Sequence, residues 1–250
     1  MEFSIIDSKL FTSVFDNMKQ FSDQTKIKIH PNGLHIQSID DANVSIIDIH
    51  FHKDYFTDYN ITSEQIFDFP LTDICKILKI CTKSRLIHFI FDTNILKISA
   101  TTSEQDIKKI FEINSIVTKD SFLNLQNLRS PNLHNIDLDS KNLQNIFNEL
   151  FIFSDDVCIE LQQHLKFYTT NETINTKYII NLNENENQNQ TENTTSLSKY
   201  SLNYLSKYKL CSSFENTNLK FNSNSPLLLI NKNEYIESHF ILSPKVMDME

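Results

Sequence analysis

At 250 residues, with 40% hydrophobic residues and 19 phenylalanines, the chain is long enough for two domains of about 120 residues, each burying its own core. A net charge of −9 and a pI near 5.4 exclude a protein that is basic all over. They leave room for a local basic surface, because a Debye length of about 8 Å screens acidic groups on a far face. No apolar run approaches the ~20 residues of a membrane span, and the N-terminus lacks a basic segment followed by an apolar one, so an intracellular protein is expected.

The first element is a helix starting at Ser8, with Leu10, Phe11, Val14, Phe15, Met18 and Phe21 on one arc and Lys9, Thr12, Ser13, Asp16 and Gln20 on the other. Alternating runs follow at Lys26–Ile29, Leu34–Ile39 and Val44–Phe51, the first pair joined by an Asn32-Gly33 turn. Gly33 is the single glycine of the chain, which excludes a Gly-rich phosphate loop and leaves turn work to asparagine. A second helix covers Leu71–Thr82, followed by strands Leu86–Phe91, Ile95–Ala100 and Lys108–Ile113.

From Ser140 the pattern begins again. Residues 8–29 recur in outline at 140–161, an offset of 132 that sets Phe15 against Phe147, Met18 against Leu150 and Ser22-Asp23 against Ser154-Asp155. The run Phe91–Asn94 is echoed at Phe221–Asn224, an offset of 130. The period is too long for a solenoid, so one unit is present twice, and two alike domains suggest a symmetric object such as a ring. The second copy carries strands Val157–Leu161, Leu165–Thr169 and Lys177–Leu182 and a helix near Ser198–Tyr208. Short strands with two helices per repeat give α+β domains built on antiparallel sheets. Residues 1–117 and 135–250 are the expected domains, 118–134 a connecting loop, and the acidic, low-complexity 183–196 a surface loop.

Three groups of side chains invite a functional reading. Lys76, Lys79 and Lys83 form a basic stripe opposite Ile74, Leu78 and Cys81, and Lys199 and Lys207 are expected to share a face of the fourth helix. Val44 and Ile46 fall on the polar side of their strand, as Ile39 does beside His35 and Gln37 on the strand before; outward aliphatics suggest a partner site. Asp48, His50 and His52 project together, but a solvated strand face explains them more simply than a metal site. The acidic pairs Asp40-Asp41 and Asp155-Asp156 read as turn residues, and Cys75, Cys81, Cys158 and Cys211 as buried free thiols without metal spacing. No nucleophile–base arrangement is recognisable.

The run Asn32–Ile46, NGLHIQSIDDANVSI, resembles a signature segment of the eukaryotic and archaeal sliding clamps, the proliferating cell nuclear antigen family. Leu71–Lys79, Leu202–Leu205, Ser225–Leu229 and Phe240–Val246 (FILSPKV) resemble further family segments in the same order. The resemblance implies a clamp fold and a homotrimer closed head to tail, with twelve helices facing duplex DNA and no catalysis, metal or cofactor. It implies a polymerase processivity factor that tethers replication and repair proteins to DNA and is opened by a clamp loader. Such a protein works in the nucleus if cellular, or at the site of viral DNA replication if viral.

Carried over residue by residue, Lys19, Lys76 and Lys79 match channel lysines; Lys76, Lys79 and Lys207 are the lysines chiefly expected to meet phosphate, with Lys9, Lys83, Lys141, Lys199 and Lys209 in support. The chain departs at Thr12, Ser13, Asn145 and Asn148, where the family often carries lysine or arginine. The partner pocket, which takes a Gln-x-x-aliphatic-x-x-aromatic-aromatic peptide, is expected from Ile39, Val44, Ile46, Leu125 or Leu128, Pro226, Ile241, Leu242, Ser243 and Pro244. Ring closure is expected between the strand bearing Lys108, Lys109, Ile110, Phe111 and Ile113 and that bearing Lys177, Tyr178, Ile179, Ile180 and Leu182 of the next copy. Two other readings are a checkpoint-type clamp subunit or non-ring viral processivity factor, and a metal-dependent nuclease.

Overall fold

The structure, a computed structural model, describes residues 1–6, 8–101, 107–117, 122–125, 133–171, 173–182 and 195–246. Two units divide it: Met1–Leu123 with Asn233–Ser238, and Asn124–Lys232 with His239–Glu250.

In the first unit β1 (Glu2–Ile5) precedes α1 (Ser8–Met18), then β2 (Gln24–His30), β3 (Gly33–Ile39) and β4 (Ser45–His52). After them come β5 (Asp58–Asn60), β6 (Gln65–Pro70), α2 (Leu71–Cys81), β7 (Leu86–Asp92), β8 (Ile95–Thr101) and β9 (Lys108–Asn114). All pairings are antiparallel, in the orders β5–β1–β7–β8–β9 and β4–β3–β2–β6. The short β1 and the paired β5 and β6 were not legible as strands in the sequence. Phe3 of β1 nevertheless sits at the centre of an aromatic core, its ring 4.8 Å from Phe89 and 4.5 Å from Phe56.

The second unit contains β10 (His134–Asp139), α3 (Ser140–Phe151), β11 (Asp156–Leu161), β12 (Leu165–Thr170), β13 (Asn175–Ile180) and β14 (Ser196–Ser201). Then follow α4 (Leu202–Leu205), β15 (Asn216–Phe221), β16 (Leu227–Lys232) and β17 (Ile236–Leu242), of which Ile236–Ser238 belong to the first unit. Its order β13–β12–β11–β14 repeats β4–β3–β2–β6, and β10–β15–β16 repeats β1–β7–β8. The repeat extends to single hydrogen bonds. Ser22 Oγ accepts from the amide of Gln24 and Ser154 Oγ from that of Asp156, each at 3.2 Å. The carbonyl of Asp23 accepts from Leu71, first residue of α2, at 2.8 Å, and that of Asp155 from Leu202, first residue of α4, at 2.7 Å.

Several expectations are corrected. The helix expected over Ser198–Tyr208 is only Leu202–Leu205, because Ser196–Ser201 alternates in and out as a strand against β11. The strand expected to reach Leu182 ends at Ile180. Thr12, placed on the outward arc of α1, is buried: α2 packs on α1, and a helical wheel does not show a second helix.

Gly33 is not a turn centre but the first residue of β3, with φ +149°, and a Cβ there would lie 2.0 Å from the Phe51 carbonyl oxygen. Asparagine takes positive φ at Asn43 and Asn224, as its abundance led one to expect. The four cysteines are free thiols; Cys158 is only half-buried, the other three buried. No described helix is long and apolar enough to cross a membrane.

Candidate nucleic-acid and partner interfaces

Amphipathic helices fix the lysines. α2 buries Leu71, Ile74, Cys75, Leu78 and Cys81, which leaves Lys76 and Lys79 exposed on its other side, with exposed Lys83 just beyond its end. The positive charge is partly matched in place: Lys76 Nζ is 3.5 Å from Asp73, Lys79 Nζ is 3.1 Å from Asp16 on α1, and Lys19 pairs with Asp23. Lys9 is exposed on α1. In α3, Asp139 caps the helix by accepting from the amide of Asn142 at 2.7 Å. Leu143, Phe147 and Leu150 turn inward; Lys141, Asn145 and Asn148 are exposed. Lys207 and Lys209 are exposed after α4. Lys199 is a strand residue on β14, not a helix residue, and its ammonium lies 3.3 Å from Asp156.

β9 and β13 are two of the strands that end the sheets: among the described residues β9 bonds only β8, and β13 only β12. Each exposes one isoleucine two residues after a lysine. Ile110 is 51% and Ile179 56% exposed, while Ile113 faces the core. Phe111, Tyr178, Ile180 and Leu182 are half-buried. Lys108 and Lys177 are exposed and Lys109 half-buried; the ammonium of Lys177 stands 5.6 Å over the Tyr168 ring.

The outward face of β3 and β4 is set by register. Ile39 lies opposite Ile46, Gln37 opposite Asp48, and His35 opposite His50. Ile39, Val44 and Ile46 are half-exposed, and Val44 is positioned by Asp40, whose Oδ1 accepts its amide at 2.8 Å. Beside Ile39 a cavity of about 700 Å³ is lined by Thr25, Lys26, Gln37, Asp40, Asp68 and Leu123 among others. In the second unit, Pro226 and Pro244 are half-buried, Ser243 is exposed, and Leu125 is buried. Ile241 and Leu242 are buried as well, Leu242 completely, so neither offers its side chain to a partner here. Leu128 lies outside the described residues.

Two features of this face were missed in the sequence. Gln37 donates from Nε2 to the Leu123 carbonyl at 3.1 Å and accepts the Leu123 amide on Oε1 at 2.8 Å. Asp48, read as one of a solvated row, is 2% exposed. His35 Nε2 is 2.5 Å from its Oδ1, His50 Nε2 is 3.3 Å from its Oδ2, and Gln37 Nε2 donates to Oδ1 at 3.1 Å. The two imidazoles stack with centroids 3.5 Å apart, and Phe122 meets His35 edge-on at 4.4 Å. His52 does not join them; its Nδ1 is 3.1 Å from Asp54. Burial pushes the Asp48 carboxyl up, but hydrogen bonds from both imidazoles outweigh it and hold the group well below the usual carboxylate range. Burial lowers His35 below the ordinary imidazole value, against the opposing pull of Asp48. The signal available was Gln37, which lies inside the segment NGLHIQSIDD.

Comparison with known proteins is consistent across three levels. Residues 1–128 match the family model described as proliferating cell nuclear antigen, N-terminal domain. Proliferating cell nuclear antigen 1 of Plasmodium falciparum is 23% identical over 172 residues, 68% of this chain and 63% of that relative's own length. DNA polymerase sliding clamp 3 of Sulfurisphaera tokodaii is 24% identical over 236 residues, 92% of each chain. The fold matches a chain of the PCNA2–PCNA3 complex from Sulfolobus tokodaii with a TM-score of 0.80 at 22% identity, covering 98% of this chain and 99% of that one. It matches PCNA from Thermococcus kodakaraensis with a TM-score of 0.82 at 18% identity over the same shares.

Proposed function

The chain belongs to the proliferating cell nuclear antigen family, whose two-domain clamp fold it has, and we propose that it is a DNA sliding clamp: a non-catalytic ring that encircles duplex DNA and acts as a polymerase processivity factor. One observation carries the reading most directly. Each of the two alike units ends a sheet in a strand with one side unpaired among the described residues, β9 and β13, and each of these exposes one isoleucine, Ile110 and Ile179. Exposed edges with apolar side chains invite pairing with another chain. Joining β9 of one copy to β13 of the next is a heterologous contact, and a 120° rotation closes it as a homotrimer.

In that ring the exposed lysines meet phosphate rather than bases, so binding is independent of sequence and falls with salt. The pairing of Lys79 with Asp16 and Lys76 with Asp73 supports weak contacts, sufficient once DNA is enclosed. The aliphatic surface of Ile39, Val44 and Ile46 takes the anchors of a Gln-x-x-aliphatic-x-x-aromatic-aromatic peptide from polymerase and repair proteins. A clamp loader opens the ring, in the nucleus of a cell or at a site of viral DNA replication.

A second reading is a subunit of a mixed ring. The solved relative from Sulfolobus tokodaii is a complex of two different clamp chains, which favours keeping it. Native mass spectrometry and light scattering of the purified chain test both. Three copies support the homotrimer, and a monomer at micromolar concentration that assembles only with another clamp chain supports the mixed ring. The nuclease reading finds little in the geometry: among the described residues, the one converging group of three potential metal ligands has a single carboxylate.

A further inference from the structure

His35, Asp48 and His50 come from two strands and meet through register. His35 and His50 are directly opposed across β3 and β4, and Asp48 stands two residues from His50 on the same face. Their donor atoms all lie within 4.8 Å of one another. We propose that these three side chains form a binding site for a divalent transition-metal cation, zinc by the character of its donors, on the outward face of β3–β4.

The chemistry of the set selects the class of ion. Two imidazole nitrogens and one carboxylate suit Zn²⁺, which takes histidine and aspartate at about 2.0–2.2 Å in a tetrahedral shell. Magnesium and calcium ask for mostly oxygen donors, and a single carboxylate does not supply them. Three protein ligands leave a fourth position open to water or to a side chain of a docked partner.

Metal–donor lengths of that size put neighbouring donors about 3.3 Å apart around a tetrahedral ion. The His50 Nε2 to Asp48 Oδ2 separation, 3.3 Å, already has that value. The His35 contact, 2.5 Å, is a hydrogen bond to the other carboxylate oxygen, Oδ1, and has to open before His35 and His50 can share one ion with Asp48. Stacked rings do not aim both lone pairs at one point, so one imidazole has to turn. His50 is the one that can, its side chain 48% exposed, whereas His35 is 20% exposed and held by the edge of Phe122.

The surroundings are those of a supported ligand set. Asp48 is buried and oriented by Gln37, in the way that outer hydrogen bonds fix a ligating carboxylate. A buried carboxylate is costly without a cation beside it. The nearby ammonium, Lys28, is committed to Glu64 at 2.8 Å. Because Gln37 also holds Leu123, and Phe122 packs on His35, an ion here ties the strand face to the segment entering residues 118–134.

The test uses the untagged, full-length protein, freed of metal by a chelator that is then removed. Zn²⁺ is titrated by calorimetry, and Co²⁺ is added separately to read its visible ligand-field bands. The expected result is one saturable Zn²⁺ site per chain with micromolar or tighter affinity, and the Co²⁺ bands of a low-coordinate nitrogen–oxygen site. His50→Ala, a change at an exposed side chain that leaves the fold intact, weakens Zn²⁺ at least about tenfold. Asp48→Asn keeps the shape and removes the charge, and abolishes the Co²⁺ bands. His52→Ala binds as the parent does, and Mg²⁺ does not compete. Absence of saturable Zn²⁺ uptake, or uptake unchanged in His50→Ala, overturns the site and leaves a hydrogen-bonded His–Asp–His cluster.

Discussion

Gln37 and Leu123 are joined by two opposed hydrogen bonds, side-chain amide to backbone amide, across 86 residues of chain. The same Gln37 nitrogen also donates to buried Asp48. One side chain therefore fastens the start of the connecting segment to the outward face of β3.

Gln37→Ala removes all three bonds and leaves Asp48 with one donor fewer. The expected loss is about 1–3 kcal/mol of stability, set by the desolvated groups left behind rather than by the bonds themselves. Urea unfolding measures it, and hydrogen exchange at the Leu123 amide should speed up well beyond the global change. Unaltered exchange at Leu123 would mean that the fastening lies elsewhere.

The fold was legible wherever periodicity carried it. The arcs of α1 and α3 place Phe15 and Phe147 in their cores because an apolar residue every three or four positions leaves a helix little choice of face. Two kinds of error share one cause, the invisibility of neighbours. Thr12 looked outward because a wheel does not contain α2, and β14 was read as helix because its buried side is mostly serine, with Ser196 and Ser198 beside Tyr200. The His–Asp–His cluster escaped for the same reason. Period two along β4 groups Asp48, His50 and His52, whereas cross-strand register replaces His52 by His35 from β3. Both strands had been assigned the right outward faces, and only their alignment was missing.

The electrostatic pairing of Lys79 with Asp16 sets the expected DNA response. Lys76→Ala with Lys79→Ala should weaken association equally for any duplex sequence and reduce the salt slope by up to about 1.8, since each phosphate contact contributes about 0.9. Asp16→Asn should act in the opposite direction, because it frees Lys79 without adding a charge of its own. Fluorescence anisotropy over a salt series on short linear duplexes of several sequences reads both. If Asp16→Asn leaves the slope and affinity untouched, Lys79 does not face the phosphates.

Ring closure makes a separate demand. Ile110→Glu on β9 and Ile179→Glu on β13 alter side chains about half exposed in the single chain, so neither should lower the stability of the isolated copy by more than about 0.5 kcal/mol. Each should nevertheless shift the assembly toward single copies, because a charge is then buried against the neighbouring strand. Light scattering across a dilution series follows the change. Intact assemblies in both variants would place the contact on other surfaces.

The partner surface gives the sharpest separation of roles. Ile39 and Ile46 are opposed in register and half-exposed, and Val44 lies beside them on a turn held by Asp40. On a face that otherwise carries Gln37, Asp48 and two histidines, these three half-exposed aliphatics adjoin one another as an apolar patch. A buried anchor residue commonly contributes ~2 kcal/mol or more to binding, roughly thirtyfold in Kd. Ile46→Glu should remove at least that much affinity for a Gln-x-x-aliphatic-x-x-aromatic-aromatic peptide, measured by calorimetry, while light scattering shows the assembly unchanged. The two measurements together are decisive. Unchanged peptide affinity rules out this surface as the anchor site, whereas loss of folding shows that Ile46 supports the sheet and not a partner.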